Sequence, residues 1–172
     1  MSRVPIGWVS VAAFAAMILC MLSCNPFAPK LDESGATVQF GDAHTVPGFF
    51  EAFRYAYMFK DTTIYGTLLA PDFTFSYRDY DLGADYTWGR DEDMRTTATL
   101  FNSAEQISLT WGDVIDSGGT QTSFNITLKY TISFTFNAGD QQDVDGRAVF
   151  HLERASPSDI WRAGHWQDES NL

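Results

Sequence analysis

Cysteine is nearly missing from this sequence: among 172 residues only Cys20 and Cys24 occur, both in or at the end of an apolar N-terminal stretch. The rest of the chain therefore has no disulfide and no thiolate metal site. Basic residues are scarce as well, 11 Lys and Arg against 22 Asp and Glu for a net charge of -11. That balance argues against nucleic acid or an anionic membrane surface as a partner, since both repel an acidic protein. Glycine-rich phosphate loop, nucleophile elbow and zinc-ligand spacing are all lacking, so no cofactor and no metal are expected. The acid-rich Asp140–Gly146 stretch has neither the alternating ligands nor the distal Glu of an EF-hand and reads as a solvated hairpin loop.

Aromatic and other apolar residues, by contrast, are plentiful at 15% and 45% of the chain. After a leader is removed, about 130 to 150 residues remain, enough for one domain with a substantial core. The leader is Met1 to Ser23, with Arg3 near its start and an apolar run from Val9 to Leu22. It reads as a bacterial secretory signal. Its end, Met21-Leu22-Ser23-Cys24, resembles a lipobox, which implies cleavage before Cys24 and acylation of that cysteine. An uncleaved anchor helix and simple secretion are the alternatives. Residues 24–45 mix Pro, Gly, Ser and Asp without a period and read as a flexible tether to the domain 46–172. Asn25 after the cysteine favours the outer over the inner membrane under the proteobacterial sorting rule. The expected location is thus the periplasmic side of a bacterial envelope, with the membrane as partner through the lipid.

The domain is organised around Phe124 to Phe136, where each even residue is apolar (Phe124, Ile126, Leu128, Tyr130, Ile132, Phe134, Phe136) and each odd one polar. Side chains alternate faces along a strand, so this is one long strand with one dry face. At ~3.4 Å per residue it would run roughly 40 Å, too long to stay flat in a small domain. Upstream, the spacing predicts a helix over Val46–Phe59, a short second helix over Thr63–Leu69 and a strand over Phe73–Tyr80. Asp81–Gly89 reads as a loop, and a third helix opens at Asp91-Glu92-Asp93, three carboxylates that complement a helix dipole, with Met94, Ala98 and Phe101 inward. Further strands follow at Ile107–Trp111, Ala148–Leu152 and Ile160–Asp168, with Asn137–Gly146 as a turn. The expected plan is α+β, a curved antiparallel sheet wrapped around N-terminal helices.

In that order several motifs resemble the nuclear transport factor 2-like superfamily, which includes SnoaL-like polyketide cyclases, ketosteroid isomerase and scytalone dehydratase. They are Phe59-Lys60-Asp61, Tyr65, Leu68-Leu69, Pro71-Asp72-Phe73 with Phe75, Trp88-Gly89-Arg90, and Trp161-Arg162 with Trp166 and Asp168. The resemblance implies a cystatin-like cone with a pocket between helices and concave sheet, here expected among Phe53, Tyr57, Tyr77, Trp88, Trp111, Tyr130 and Trp161. Parity puts His151 on the outer face. It puts Asp79 with Phe73, Phe75 and Tyr77, and His165 with Trp161 and Ala163, unless Gly164 bulges the strand and reverses the last assignment. An inward Asp79 and His165 could act as general acid and base. Three functions stay open: binding of a small apolar ligand or protein partner without catalysis, SnoaL-like isomerisation or dehydration by Asp79 and His165, and structural homodimerisation through the sheet.

Overall fold

Helix α1, Val46–Phe59, carries Phe49, Phe50, Phe53, Ala56 and Tyr57 at helical spacing, and all five are buried. Its start is fixed by Thr45, whose hydroxyl accepts the Gly48 amide at 3.1 Å, and by Pro47 in the first turn. Its end is fixed by Lys60, which adopts a left-handed conformation at φ 56°. The computed structural model describes residues 41–80, 82–137 and 139–170. The leader, Cys20, Cys24 and the tether up to residue 40 lie outside the described residues. Residues 42–45 lie against the domain: the Ala43 carbonyl accepts the Trp161 amide at 2.8 Å and the His44 carbonyl accepts the Arg154 guanidinium at 3.0 Å. No helix among the described residues is long and apolar enough to cross a membrane.

Asp61 caps the short helix α2, Thr62–Thr67, by accepting the Thr63 and Ile64 amides at 2.8 and 2.9 Å. The chain continues through β1 (Leu69–Asp79), β2 (Ala84–Gly89), helix α3 (Arg90–Ser103), β3 (Gln106–Gly119), β4 (Ser123–Asn137), β5 (Asp140–Glu153) and β6 (Arg162–Ser170). These strands form one six-stranded sheet in the order β2-β1-β6-β5-β4-β3. All neighbours are antiparallel except β1 and β6, which run parallel, so the sheet is mixed. The parallel pair joins segments far apart in the chain, a pairing that local periodicity does not encode.

β4 runs through the middle of the β3-β4-β5 half with the alternation read from its sequence: Ile126, Leu128, Tyr130 and Ile132 are buried, Asn125, Lys129 and Thr131 exposed. The dry face curls around α1. Phe53 touches both Trp111 of β3 and Trp166 of β6, with ring centroids 5.7 and 5.5 Å away. Those strands are three places apart, about 14 Å in a flat sheet, so a single ring reaches both only because the sheet is curved.

Three sequence readings change. The expected loop 81–89 contains β2, which pairs with β1 from Asp79↔Ala84 to Thr74↔Gly89 and sets Trp88 beside Phe75. The expected turn 137–146 is mostly strand: Asp140 to Gly146 pairs with β4, starting at Asn137↔Asp140. In α3 the inner face is Asp93, Thr97 and Phe101, so the third carboxylate of the acidic triplet is buried rather than solvated.

Candidate functional site

Under α1 the concave face leaves a cavity of about 130 Å³. Phe53 and Tyr57 roof it, stacked at 5.1 Å because they lie one helical turn apart. Leu109 and Trp111 of β3, Tyr130, Ile132 and Phe134 of β4, Val144 of β5, Trp166 and Asp168 of β6, and Leu100 of α3 complete the wall. Trp111 is held by its indole N–H, which donates to the Phe50 carbonyl at 2.8 Å. The indole N–H of Trp166 is buried and has no hydrogen-bond partner among the described residues. Its ring is clamped between Phe150, stacked at 5.3 Å, and the edges of Phe53 and Phe75.

The polar end of the cavity is Asp168. The Tyr130 hydroxyl donates to its Oδ1 at 2.6 Å and the Ser170 hydroxyl to its Oδ2 at 2.9 Å. Both oxygens accept, the arrangement of an ionised carboxylate. Burial raises the Asp168 pKa above the ordinary carboxylate value, while the hydrogen bonds from Tyr130 and Ser170 oppose that rise. Burial, followed by the charge of Asp168, pushes the Tyr130 phenol far up, so it stays protonated and remains a donor.

Tyr130 sits on β4 and Asp168 on β6, with β5 between them, a separation of about 10 Å across two strand spacings. The ring crosses β5 at Gly146, which faces Tyr130 on one side and Ser170 on the other. A Cβ at residue 146 would lie 2.9 Å from both Tyr130 Cε1 and Ser170 Cα. Only glycine leaves room for the crossing.

A second buried acid lies behind the wall. Asp93 accepts the Tyr65 hydroxyl at 2.6 Å and the Trp88 indole N–H at 3.1 Å, tying α3 to α2 and β2. Burial raises its pKa against those two donors. It does not line the cavity.

No family model and no curated protein matches the sequence. Solved structures do match. A conserved protein from Planctomyces limnophilus superposes with TM-score 0.63 at 13% identity, over 73% of this chain and 92% of that one. An uncharacterised protein with a cystatin-like fold from Caulobacter vibrioides gives 0.56 at 12%, over 74% and 87%. A protein of the nuclear transport factor 2-like family from Streptomyces avermitilis, provisionally named a dehydratase, gives 0.59 at 19%, over 76% and 96%. The chain has the nuclear transport factor 2-like fold. At these identities the likeness is one of architecture, and architecture does not fix chemistry.

Within this fold the expected pocket residues divide. Phe53, Tyr57, Trp111 and Tyr130 line the cavity. Tyr77 does not, because it stacks on Tyr86 at 5.2 Å across the β1-β2 hairpin. Trp88 is turned away, stacked on Phe75 at 4.7 Å and bonded to Asp93. Trp161 is core at the other end of β6, beneath the Arg154 guanidinium at 4.2 Å.

Neither expected catalytic residue reaches the cavity. Asp79 ends β1, where its carboxylate accepts the Leu82 amide at 2.9 Å and closes the hairpin turn. His165 is on the outer face, within hydrogen-bond reach of Thr74 Oγ1 at 2.8 Å and Ser76 Oγ at 3.3 Å. The reason is a bulge: Leu152 pairs with Ala163 but His151 with His165, so Gly164 is the extra residue and the faces reverse after it. The same reversal turns Trp166 and Asp168 inward, two site residues that simple alternation from Trp161 misses. His151 is on the outer face, its Nδ1 2.8 Å from Asn125 Oδ1.

Proposed function

We propose that this domain binds a small, largely apolar organic ligand in the aromatic cavity under α1. The observation that carries the reading is the cavity itself, an aromatic and aliphatic wall around about 130 Å³ with its polar group at one end. An apolar cavity of ~150 Å³ in another protein takes up benzene, which sets the size of ligand to seek. Two tryptophans in the wall supply the test. Titration with cyclohexanol or toluene should change Trp111 and Trp166 fluorescence saturably, and Val144→Trp, which fills the space from β5, should abolish the change while keeping a cooperative melt. An unchanged titration in the filled variant would refute the reading.

Proton transfer is a second reading, favoured by one carboxylate and one phenol 2.6 Å apart at an apolar wall. In it Asp168 alone acts as base, since His165 faces away. A cavity-sized probe, cyclohex-3-enone, would then convert to its conjugated isomer in the presence of the protein and not of Asp168→Asn. Absence of turnover leaves binding as the function. The place of action is a proposal on the leader's sequence: the domain is held by an acylated Cys24 at the periplasmic side of an envelope membrane.

A further inference from the structure

The wall of the cavity pairs an anion with aromatic rings and offers no cation. Phe53, Tyr57, Trp111, Tyr130 and Trp166 surround it, and Asp168 is the charged group among the lining residues. The donors on Asp168 are the Tyr130 and Ser170 hydroxyls and the Ser170 backbone amide, all uncharged, and no ion pair to it occurs among the described residues. The arginines of the two strands that flank β6 are committed elsewhere: Arg147 of β5 pairs with Glu169 at 2.8 Å, and Arg78 of β1 pairs with Asp85 at 3.0 Å. Around Asp168 its β1 partner is Tyr77, its β5 partner Ala148, and its chain neighbour Glu169, none of which brings positive charge. A half-buried carboxylate without a counter-ion is unfavourable, and an apolar cavity beside it leaves the counter-charge to whatever enters. Rings that present their faces to an organic cation attract it through their quadrupoles, most strongly where water is excluded.

We propose that the ligand is a small organic ammonium, a quaternary or alkylated amine, whose charge sits between the aromatic wall and Asp168. The proposal rests on the pocket reading above and adds the sign of the ligand's charge. It excludes carboxylates and phosphates, which Asp168 and the net charge of -11 both repel. Hydrated metal ions are excluded too, because the wall supplies one carboxylate and few oxygens for a shell.

The test compares choline with its uncharged isostere 3,3-dimethylbutan-1-ol by tryptophan fluorescence and calorimetry on the protein bearing its natural tether. Choline should bind at least tenfold more tightly. Asp168→Asn, nearly the same shape, should bring the affinities of the two probes to within about twofold of each other, and in the wild type choline affinity should fall as acid titrates the carboxylate. Should the asparagine variant not fold, the wild-type comparison and its pH dependence decide alone. Equal binding of the two probes, or tighter binding of the alcohol, overturns the charge assignment and leaves the pocket reading standing. Binding of neither probe, nor of cyclohexanol, overturns both.

Discussion

Two residues concentrate the demands of the site. Gly146 is where the Tyr130 ring crosses β5, and an added methyl would meet Tyr130 Cε1 and Ser170 Cα at 2.9 Å. Gly146→Ala should cost about 1–3 kcal/mol as an overpacked contact, and should also weaken ligand binding because the phenol can no longer reach Asp168. Denaturant melts and the fluorescence titration would read the two effects, and a variant with normal affinity would refute the positioning role. Asp168 is the other. Its pKa is raised in the folded state, chiefly by burial, so between the unfolded and folded values the native state holds more protons. Stability from this group is therefore lost as pH rises through that window and stays lost above it. Asp168→Asn should melt higher than the wild type at neutral pH, with the gap shrinking as pH falls to about 4, the unfolded carboxylate value. Asp93 shifts in the same direction but is present in both proteins and cancels from the difference. A gap independent of pH would contradict the account.

At the level of elements, β4 carries the fold. Ile132 is 7% exposed and lines the cavity, whereas Ser133, one residue along, sits on the opposite face and pairs with Asp143 of β5. Ile132→Asp adds a second buried carboxylate to a cavity that already holds Asp168 and offers no cation, at a cost of several kcal/mol against a total stability of about 5 to 15, and should leave no cooperative melt. Ser133→Lys places its ammonium opposite Asp143 and should melt within about 2 °C of the wild type. Similar melts for both would mean that the register is wrong. β6 is the contrasting element. Its bulge at Gly164 separates a core half, with Ala163 fully buried, from a half whose Trp166 and Asp168 line the cavity. One extra residue lets the same strand close the core at one end and open a site at the other.

At the scale of the molecule, the acidic domain and the leader make separate demands. A net charge of -11 repels an anionic bilayer surface, so the membrane attachment proposed above would rest on the lipid at Cys24 rather than on the domain's own face. If Cys24 is the acylated residue, Cys24→Ser expressed in a bacterium should accumulate as precursor and take up no labelled palmitate, while Cys20→Ser should process as the wild type does. Equal labelling of the Cys24→Ser protein would remove the anchor from the proposal.

The sequence by itself determined whatever depends on neighbours a few residues away. The alternation of Phe124 to Phe136 named the buried face of β4. The spacing of Phe49, Phe53 and Tyr57 with Thr45 and Pro47 named the inner face and start of α1, while the expectation of a pocket came from the family resemblance, and of its expected residues Phe53, Tyr57, Trp111 and Tyr130 line the cavity. Those periods follow from backbone sterics, which are local. Only the tertiary structure decided what depends on pairing. The β1-β6 parallel contact, the burial of Asp93 and the meeting of Tyr130 with Asp168, 38 residues later, are set by which strands lie side by side. The bulge at Gly164 shows the limit most plainly: alternation counted along the chain sent His165 inward, and the ladder with β5 sent it outward. An extra residue in a strand is defined only against its partner, so the faces beyond it are fixed by the sheet rather than by the strand.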